Sequence, residues 1–365
     1  MWEKKVESFF ENGENLREKS FFNEALEVYQ KALTLCPKEA IWERLRCYQR
    51  IGDCLRMIGD FKKAKENFLM ALKLAEMTKD ELEIADILVN LGLSKRAIGE
   101  VIEAKKDFEK ALAIYQEWDD PEGEGFCLWA MGGLWRILGQ LKKAKETFLE
   151  AIFLFEGLDN NKGKGYCCCG LGGVLRVMGK YKESLEYYTK ANDLFSKIED
   201  KFGLAYSFCG IANAYRMLND FKNAFFYFEK AKKIYKDIKD KVSYAYTLWG
   251  EGTTLKIQKK YNEAEERFKE AKKLFEITGD KRGMVYVLLG LTELVWLKEN
   301  KLKIEYLEEV KKILSKSPYA LEKCHLLLYE WLFKKNVQWD EIIKCYKKCN
   351  SSFLKEYPHL PFNLP

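Results

Sequence analysis

A chain of 365 residues, 47% hydrophobic and 14% aromatic, holds enough apolar material for a large buried core, which excludes a disordered chain. Its net charge of +6 is small for the length and is spread through mixed runs such as Glu229 to Lys236 and Glu263 to Lys273, so charge alone gives no ground for nucleic-acid binding. No stretch of about 18 apolar residues escapes a charge, Met1 to Phe10 lacks the apolar core of a secretory signal, and eleven cysteines without framework spacing fit a reducing, cytoplasmic setting with no membrane span.

The first helix pair runs from Phe10 to Pro37. Gly13, Ala25, Ala32 and Pro37 are spaced 12, 7 and 5, with Arg17 behind the glycine and Tyr29 between the alanines. These residues resemble the tetratricopeptide repeat, whose pattern of about 34 residues has small residues and a closing proline at those intervals. Later units keep the 12 and 7 intervals (Gly52, Ala64, Ala71; Gly132, Ala144, Ala151) but recur at a fixed step of 40 residues, which is similar to a longer-repeat subtype of the same family. The resemblance covers about residues 10–315 and implies an all-α, right-handed superhelical solenoid of antiparallel helix pairs.

Units are expected at about 6–39, 45–84, 85–124, 125–164, 165–204, 205–244 and 245–284, with a degenerate unit at 285–317. Together they make a solenoid over 1–317. Gly59, Gly99, Gly139, Gly179 and Asn219 mark the turn inside each unit, and Asp119-Asp-Pro-Glu-Gly, Asp159-Asn-Asn-Lys-Gly and Glu199-Asp-Lys-Phe-Gly mark the turn between units. Pro37 and Pro121 fall at such inter-helix turns. Residues 318–350 give one more helix pair, Tyr319 to Phe333 and Trp339 to Cys349, without the repeat's columns; this reads as a cap closing the apolar seam. The stretch 351–365 is expected to be an extended tail.

Within helix A of each unit the columns separate by angle. Leu128, Cys168 and Phe208 with Trp135, Leu175 and Tyr215 share one arc, the packing side. The opposite arc, which the family resemblance makes the concave groove, holds Phe126, Tyr166, Tyr206, Tyr246 and Tyr286 in one row, Trp129, Cys169, Cys209 and Trp249 in a second, and Gly133, Gly173, Asn213 and Thr253 in a third. Gly170, Gly172 and Gly173 lie within one helical turn, although each glycine costs about 1 kcal/mol against alanine. Two accounts fit: aromatic rings of one unit packing over the bare backbone of the next, or a smooth aromatic groove for an extended peptide or an apolar helix.

Between the arcs runs a file of seven cations, Arg17, Arg56, Arg96, Arg136, Arg176, Arg216 and Lys256. At roughly 10 Å between neighbouring A helices they repel by about 1.7 kcal/mol per pair at a dielectric near 20, so they need acids from helix B and the turns, or the anionic groups of a ligand.

No glycine-rich phosphate loop is present, since Gly170-Leu-Gly-Gly falls mid-helix, and two histidines, His325 and His359, give no basis for a histidine triad. Cys324, His325, Cys345 and Cys349 could converge as soft metal ligands if the cap helices pack antiparallel, though the spacing is not a recognised zinc signature. The expectation is a non-enzymatic protein-interaction scaffold without cofactor or metal. Its partner-binding residues would be Arg96, Arg136, Arg176, Arg216, Phe126, Trp129, Tyr166, Tyr206, Tyr246, Trp249 and Asn213, and its partner a protein or peptide with acidic beside apolar or aromatic side chains. An RNA-binding helical repeat is the alternative, with a metal or thiol sensor behind it; nucleic acid is disfavoured, and the oligomeric state is left open.

Overall fold

The computed structural model of the chain describes residues 2–334, 336–354 and 359–365. Two compact units result. One comprises the described residues up to Ala130 together with Lys236–Lys241; the other comprises Met131–Tyr235 and Val242–Pro365. Each is an all-α array of antiparallel helix pairs, with no strand among the described residues.

The first unit contains α1 (Trp2–Glu18), α2 (Phe22–Leu35), α3 (Ile41–Met57), α4 (Phe61–Thr78), α5 (Glu81–Ala97), α6 (Val101–Glu117) and the start of α7 (Pro121–Ile137). Lys239 joins this unit through its Nζ, 2.7 Å from Glu24 Oε1. The second unit takes the rest of α7, then α8 (Leu141–Gly157), α9 (Asn161–Val177), α10 (Tyr181–Lys197), α11 (Lys201–Met217), α12 (Phe221–Asp237, its last two residues excepted), α13 (Lys241–Ile257, from Val242), α14 (Tyr261–Thr278) and α15 (Lys281–Glu299). It ends with α16 (Ile304–Ser315), α17 (Ala320–Lys334) and α18 (Trp339–Lys348).

Helix A begins at 81, 121, 161, 201, 241 and 281, ahead of the boundaries drawn from the columns at 85, 125, 165, 205 and 245. The cause is local. Asp80, Asn160, Asp200 and Asp280 are N-caps whose side chains accept the amide hydrogens of Glu83, Gly163, Gly203 and Gly283 at 3.1, 2.8, 2.7 and 2.8 Å. Each bond satisfies one of the orphan amides of a first turn and contributes about 1 kcal/mol. Pro121 therefore starts a helix at the inter-helix turn, at the position where its missing N–H is harmless.

The mid-helix glycines have a packing cause. Phe148 lies against Gly132 of its own unit and Gly170 of the next, where an added Cβ would come within 2.8 and 2.3 Å of the ring. Tyr188 does the same with Gly172 and Gly210, and Phe268 with Gly252 and Gly290. A ring from helix B is thus held between two stretches of bare backbone on successive A helices, which buries Phe148, Tyr188 and Phe268 to 2%, 4% and 0% exposure. The glycines between units obey the same rule one turn earlier: Cβ atoms at Gly163, Gly203 and Gly283 would meet Phe155, Phe195 and Phe275 at 2.6, 2.4 and 2.3 Å. Of the two accounts of the glycines, ring packing is the one the contacts support. Ser184, standing in the alanine column, donates its hydroxyl to Gly172 O at 2.7 Å and so remains buried without an orphan oxygen.

In the cap, α17 packs on α15 and α16, and α18 on α17. Cys324 and Cys345 form a disulfide across this last pair, so two of the four cap residues considered as metal ligands are bonded to each other. His325 Nδ1 lies 2.7 Å from Tyr346 Oη, and among the described residues no cluster of three or more potential ligands is arranged for a metal. The metal-centre reading is replaced by a covalent staple. The remaining nine cysteines are free. No helix among the described residues is long and apolar enough to cross a membrane. Of the tail expected to be extended, residues 355–358 lie outside the described residues, and 359–365 form no helix.

Candidate functional site

The cation file meets different partners along its length. In the first unit it is neutralised from within: Arg17 pairs with Glu14 at 2.6 Å and Asp53 at 3.3 Å, and Arg56 pairs with Asp53 at 3.4 Å. Those acids sit on the A helices α1 and α3, not on helix B or the turns. Arg96 donates to the backbone carbonyl of Ala130 at 2.8 Å. Phe126 and Trp129, also in this unit, stack on each other with centroids 5.5 Å apart. These three expected site residues belong to the first unit and the others to the second.

In the second unit the file lacks carboxylates until its end. The Arg136 guanidinium lies over Gly173, where a Cβ would be 2.6 Å from Nη1. Arg136 Nε, and both Nε and Nη1 of Arg176, are buried with no hydrogen-bond partner among the described residues. Arg216 is fully buried and held by Asn213, whose Oδ1 accepts from Nε at 3.2 Å and from Nη2 at 3.1 Å. The Trp249 ring lies beneath it, 5.4 Å from the guanidinium carbon. Burial, then the neighbouring charge of Arg176, pushes Arg216 down to about 9, which leaves it a cation at neutral pH.

The remaining valences of Arg216 are taken by the end of the chain. Nη1 donates to Asn363 Oδ1 and Nη2 to Leu364 O, the latter at 2.9 Å, while Asn363 Nδ2 returns a bond to Arg216 O at 3.1 Å. One repeat further, Lys256 Nζ pairs with Glu293 Oε2 at 2.7 Å, both side chains buried. Tyr329 Oη donates to the same oxygen at 2.5 Å, and the Phe362 amide donates to Glu293 Oε1 at 2.6 Å. Charge and hydrogen-bond capacity are therefore matched around Arg216 and Lys256 and unmatched at Arg136 and Arg176.

The tyrosine row is largely engaged in holding the fold. Tyr166 and Tyr246 donate their hydroxyls to Asp200 and Asp280, the N-caps of the following A helices, at 3.1 and 3.3 Å. Phe202 links Tyr166 and Tyr206, each ring centroid 6.2 Å away. Trp249 packs on Tyr286 at 4.9 Å. Cys169, Asn213, Trp249 and Thr253, expected to line an open groove, are buried. The structure thus brings together Arg216, Asn213 and Trp249, with Arg176 as the neighbouring charge.

Sequence reasoning missed Glu293, Tyr329 and residues 362–364. Glu293 had a legible signal: it occupies the column of Gly133, Gly173, Asn213 and Thr253, in which Asp53 is the acid of the first unit. For Asn363 no pattern existed, because a contact 147 residues away in sequence leaves no periodicity.

Antiparallel helix pairs repeating every 40 residues, with rings clasped between glycines, define an α-helical repeat protein. Family models described as tetratricopeptide repeat match residues 83–156 and 168–237, and a further one matches 45–76. An uncharacterised TPR repeat-containing protein of Arabidopsis thaliana is 34% identical over 84 residues, 22% of this chain; the match spans 10% of that relative's length. Among solved structures, a Rap protein complexed with competence and sporulation factor superposes with a TM-score of 0.69 at 14% identity, over 95% of this chain and 98% of that one. The Rap conjugation gene regulator of the plasmid pLS20, in complex with the Phr peptide, gives 0.62 at 13% identity, over 90% and 97%. The Cut9-Hcn1 hetero-tetramer of the APC/C gives 0.60 at 17% identity, over 93% and 55%. At these identities the likeness is one of fold. Over the matched residues 45–76, 83–156 and 168–237 the helix pairs are of the tetratricopeptide repeat type.

Proposed function

We propose that this protein is a non-enzymatic scaffold, and that the second unit's arginine file binds an extended segment of a partner protein carrying acidic side chains beside apolar or aromatic ones. One observation carries the reading. Arg136 and Arg176 hold buried guanidinium nitrogens without partners, and Arg176 neighbours Arg216, which already holds a chain segment. Leaving such donors unsatisfied costs stability, and a ligand carboxylate would supply the missing acceptors. Asn213, Trp249 and the Tyr166, Tyr206 and Tyr246 row flank this file. The Rap conjugation gene regulator of similar fold is in complex with the Phr peptide, which supports a peptide as the kind of ligand.

A display library of random peptides, panned against the purified full chain, tests this. Enriched peptides should carry acids next to aromatic or aliphatic residues. Replacing Arg136 and Arg176 by Gln should weaken them by about a hundredfold or more, since each charge-assisted contact contributes about 1.5–3 kcal/mol. The melting temperature should hold, because the unpartnered charges are removed along with the contacts. Peptides that bind the double variant unchanged, or a large fall in melting temperature, would overturn the reading.

A further inference from the structure

The residues that satisfy Arg216 and Glu293 come from a segment with no secondary structure of its own. Phe362 and Leu364 are buried to 3% and 4% exposure, whereas His359 is exposed. Phe362 lies edge-on to Tyr329 with centroids 5.2 Å apart. The contacts have the form of peptide recognition: one backbone amide, one backbone carbonyl and one carboxamide side chain are read by Glu293, Arg216 and the Arg216 carbonyl, while two apolar side chains are covered.

Without this segment Glu293 Oε1 would lose its amide donor, and Arg216 would keep only the Asn213 oxygen. The rest of the fold leaves these groups open, as a binding site does. The segment in turn leaves the next part of the file unsatisfied, since Arg176 and Arg136 retain buried nitrogens without partners.

We propose that residues 359–365 are a resident ligand of the arginine file, and that the partner displaces them by presenting the same chemistry, an extended stretch with an aromatic, a carboxamide and an aliphatic side chain in succession, continued by acidic residues that reach Arg176 and Arg136. This rests on the reading of the file as a peptide site and adds its regulation. Tethering gives the resident segment an effective concentration of the order of millimolar, so a short peptide of identical sequence competes poorly. A partner that also pairs with Arg176 and Arg136 gains contacts the resident lacks, and exchange runs in its favour.

The test uses the full chain and a fluorescent synthetic peptide of sequence His-Leu-Pro-Phe-Asn-Leu-Pro. Phe362→Ala combined with Asn363→Ala loosens the resident segment, and the peptide should bind this variant at least about tenfold more tightly than the unaltered chain. Adding Arg216→Gln should abolish the gain. Equal affinity for the two chains, or no saturation of a cooperatively melting variant at millimolar peptide, overturns the proposal. Should the variant fail to fold, hydrogen exchange of the Phe362 amide in the unaltered chain decides. Slowing by about a hundredfold against the free peptide supports the proposal, and exchange at the free rate overturns it. Display peptides whose binding still depends on Arg136 and Arg176 would then show that the resident ligand alone has failed, with the peptide site intact.

Discussion

Gly210 and Gly157 both lie within helices yet answer to different constraints. A Cβ at Gly210 would sit 2.1 Å from Tyr188 ring carbons, whereas one at Gly157, the last residue of α8, meets nothing within 4 Å. Gly210→Ala should therefore destabilise by about 1–3 kcal/mol through overpacking, and Gly157→Ala should stabilise by about 0.5 kcal/mol through the unfolded chain's lost freedom. Denaturant midpoints of the two variants check this, and the reverse order would refute the ring-clasp account. His325 makes a second prediction. Burial pushes its imidazole from 6.5 down to about 4, against the pull of Glu322. The unfolded chain thus takes the proton first as pH falls. Stability is intact above about 6.5, declines toward pH 4 by an amount on the order of 3 kcal/mol, and gains no further loss from this group below. In His325→Gln this stretch of the pH profile should flatten, as read by melting temperature across the range.

Among the elements, α18 is the one least able to stand alone. It has 10 residues, too few for a stable helix in water, and is anchored by the packing of Ile342 and Tyr346 and by the Cys324–Cys345 disulfide to α17. The bridge spans 21 residues of sequence, which in the chain-entropy view contributes about 3 kcal/mol. Reduction, or Cys324→Ser with Cys345→Ser, should lower the melting temperature and open α18 to proteolysis. Unchanged melting and proteolysis after reduction would show the bridge to be without effect on stability.

For the molecule as a whole, the cap closes charge as well as apolar surface. Glu322 of α17 takes Arg282 at 2.6 Å, and Tyr329 of the same helix donates to Glu293. Ending the chain at Ser315 leaves Arg282 and the Lys256–Glu293 pair without these partners and uncovers the α15 surface beneath α17. Breaking a buried charge network of this kind costs about 3–5 kcal/mol. The shortened chain should aggregate or melt well below the full chain, as size-exclusion chromatography and thermal melting would show. A monomer of unchanged stability would contradict the closing role of α17.

The amino-acid sequence alone determined the helix pairs, their 40-residue step, the turns at Gly59, Gly99, Gly139 and Gly179, and the file of cations, because each is a local or nearest-neighbour requirement repeated often enough to be read as a column. Only the tertiary structure decided which cations are spent. Arg17 and Arg56 share Asp53, Arg216 is satisfied by residues 363 and 364, and Arg176 keeps open donors, although all stand in one column. Likewise Cys324 and Cys345 resembled possible metal ligands until their helices were seen to place them in bonding distance of each other. Pairing across long sequence separation depends on where the chain returns in space, and a repeat's periodicity, which encodes contacts between neighbours, carries no record of it.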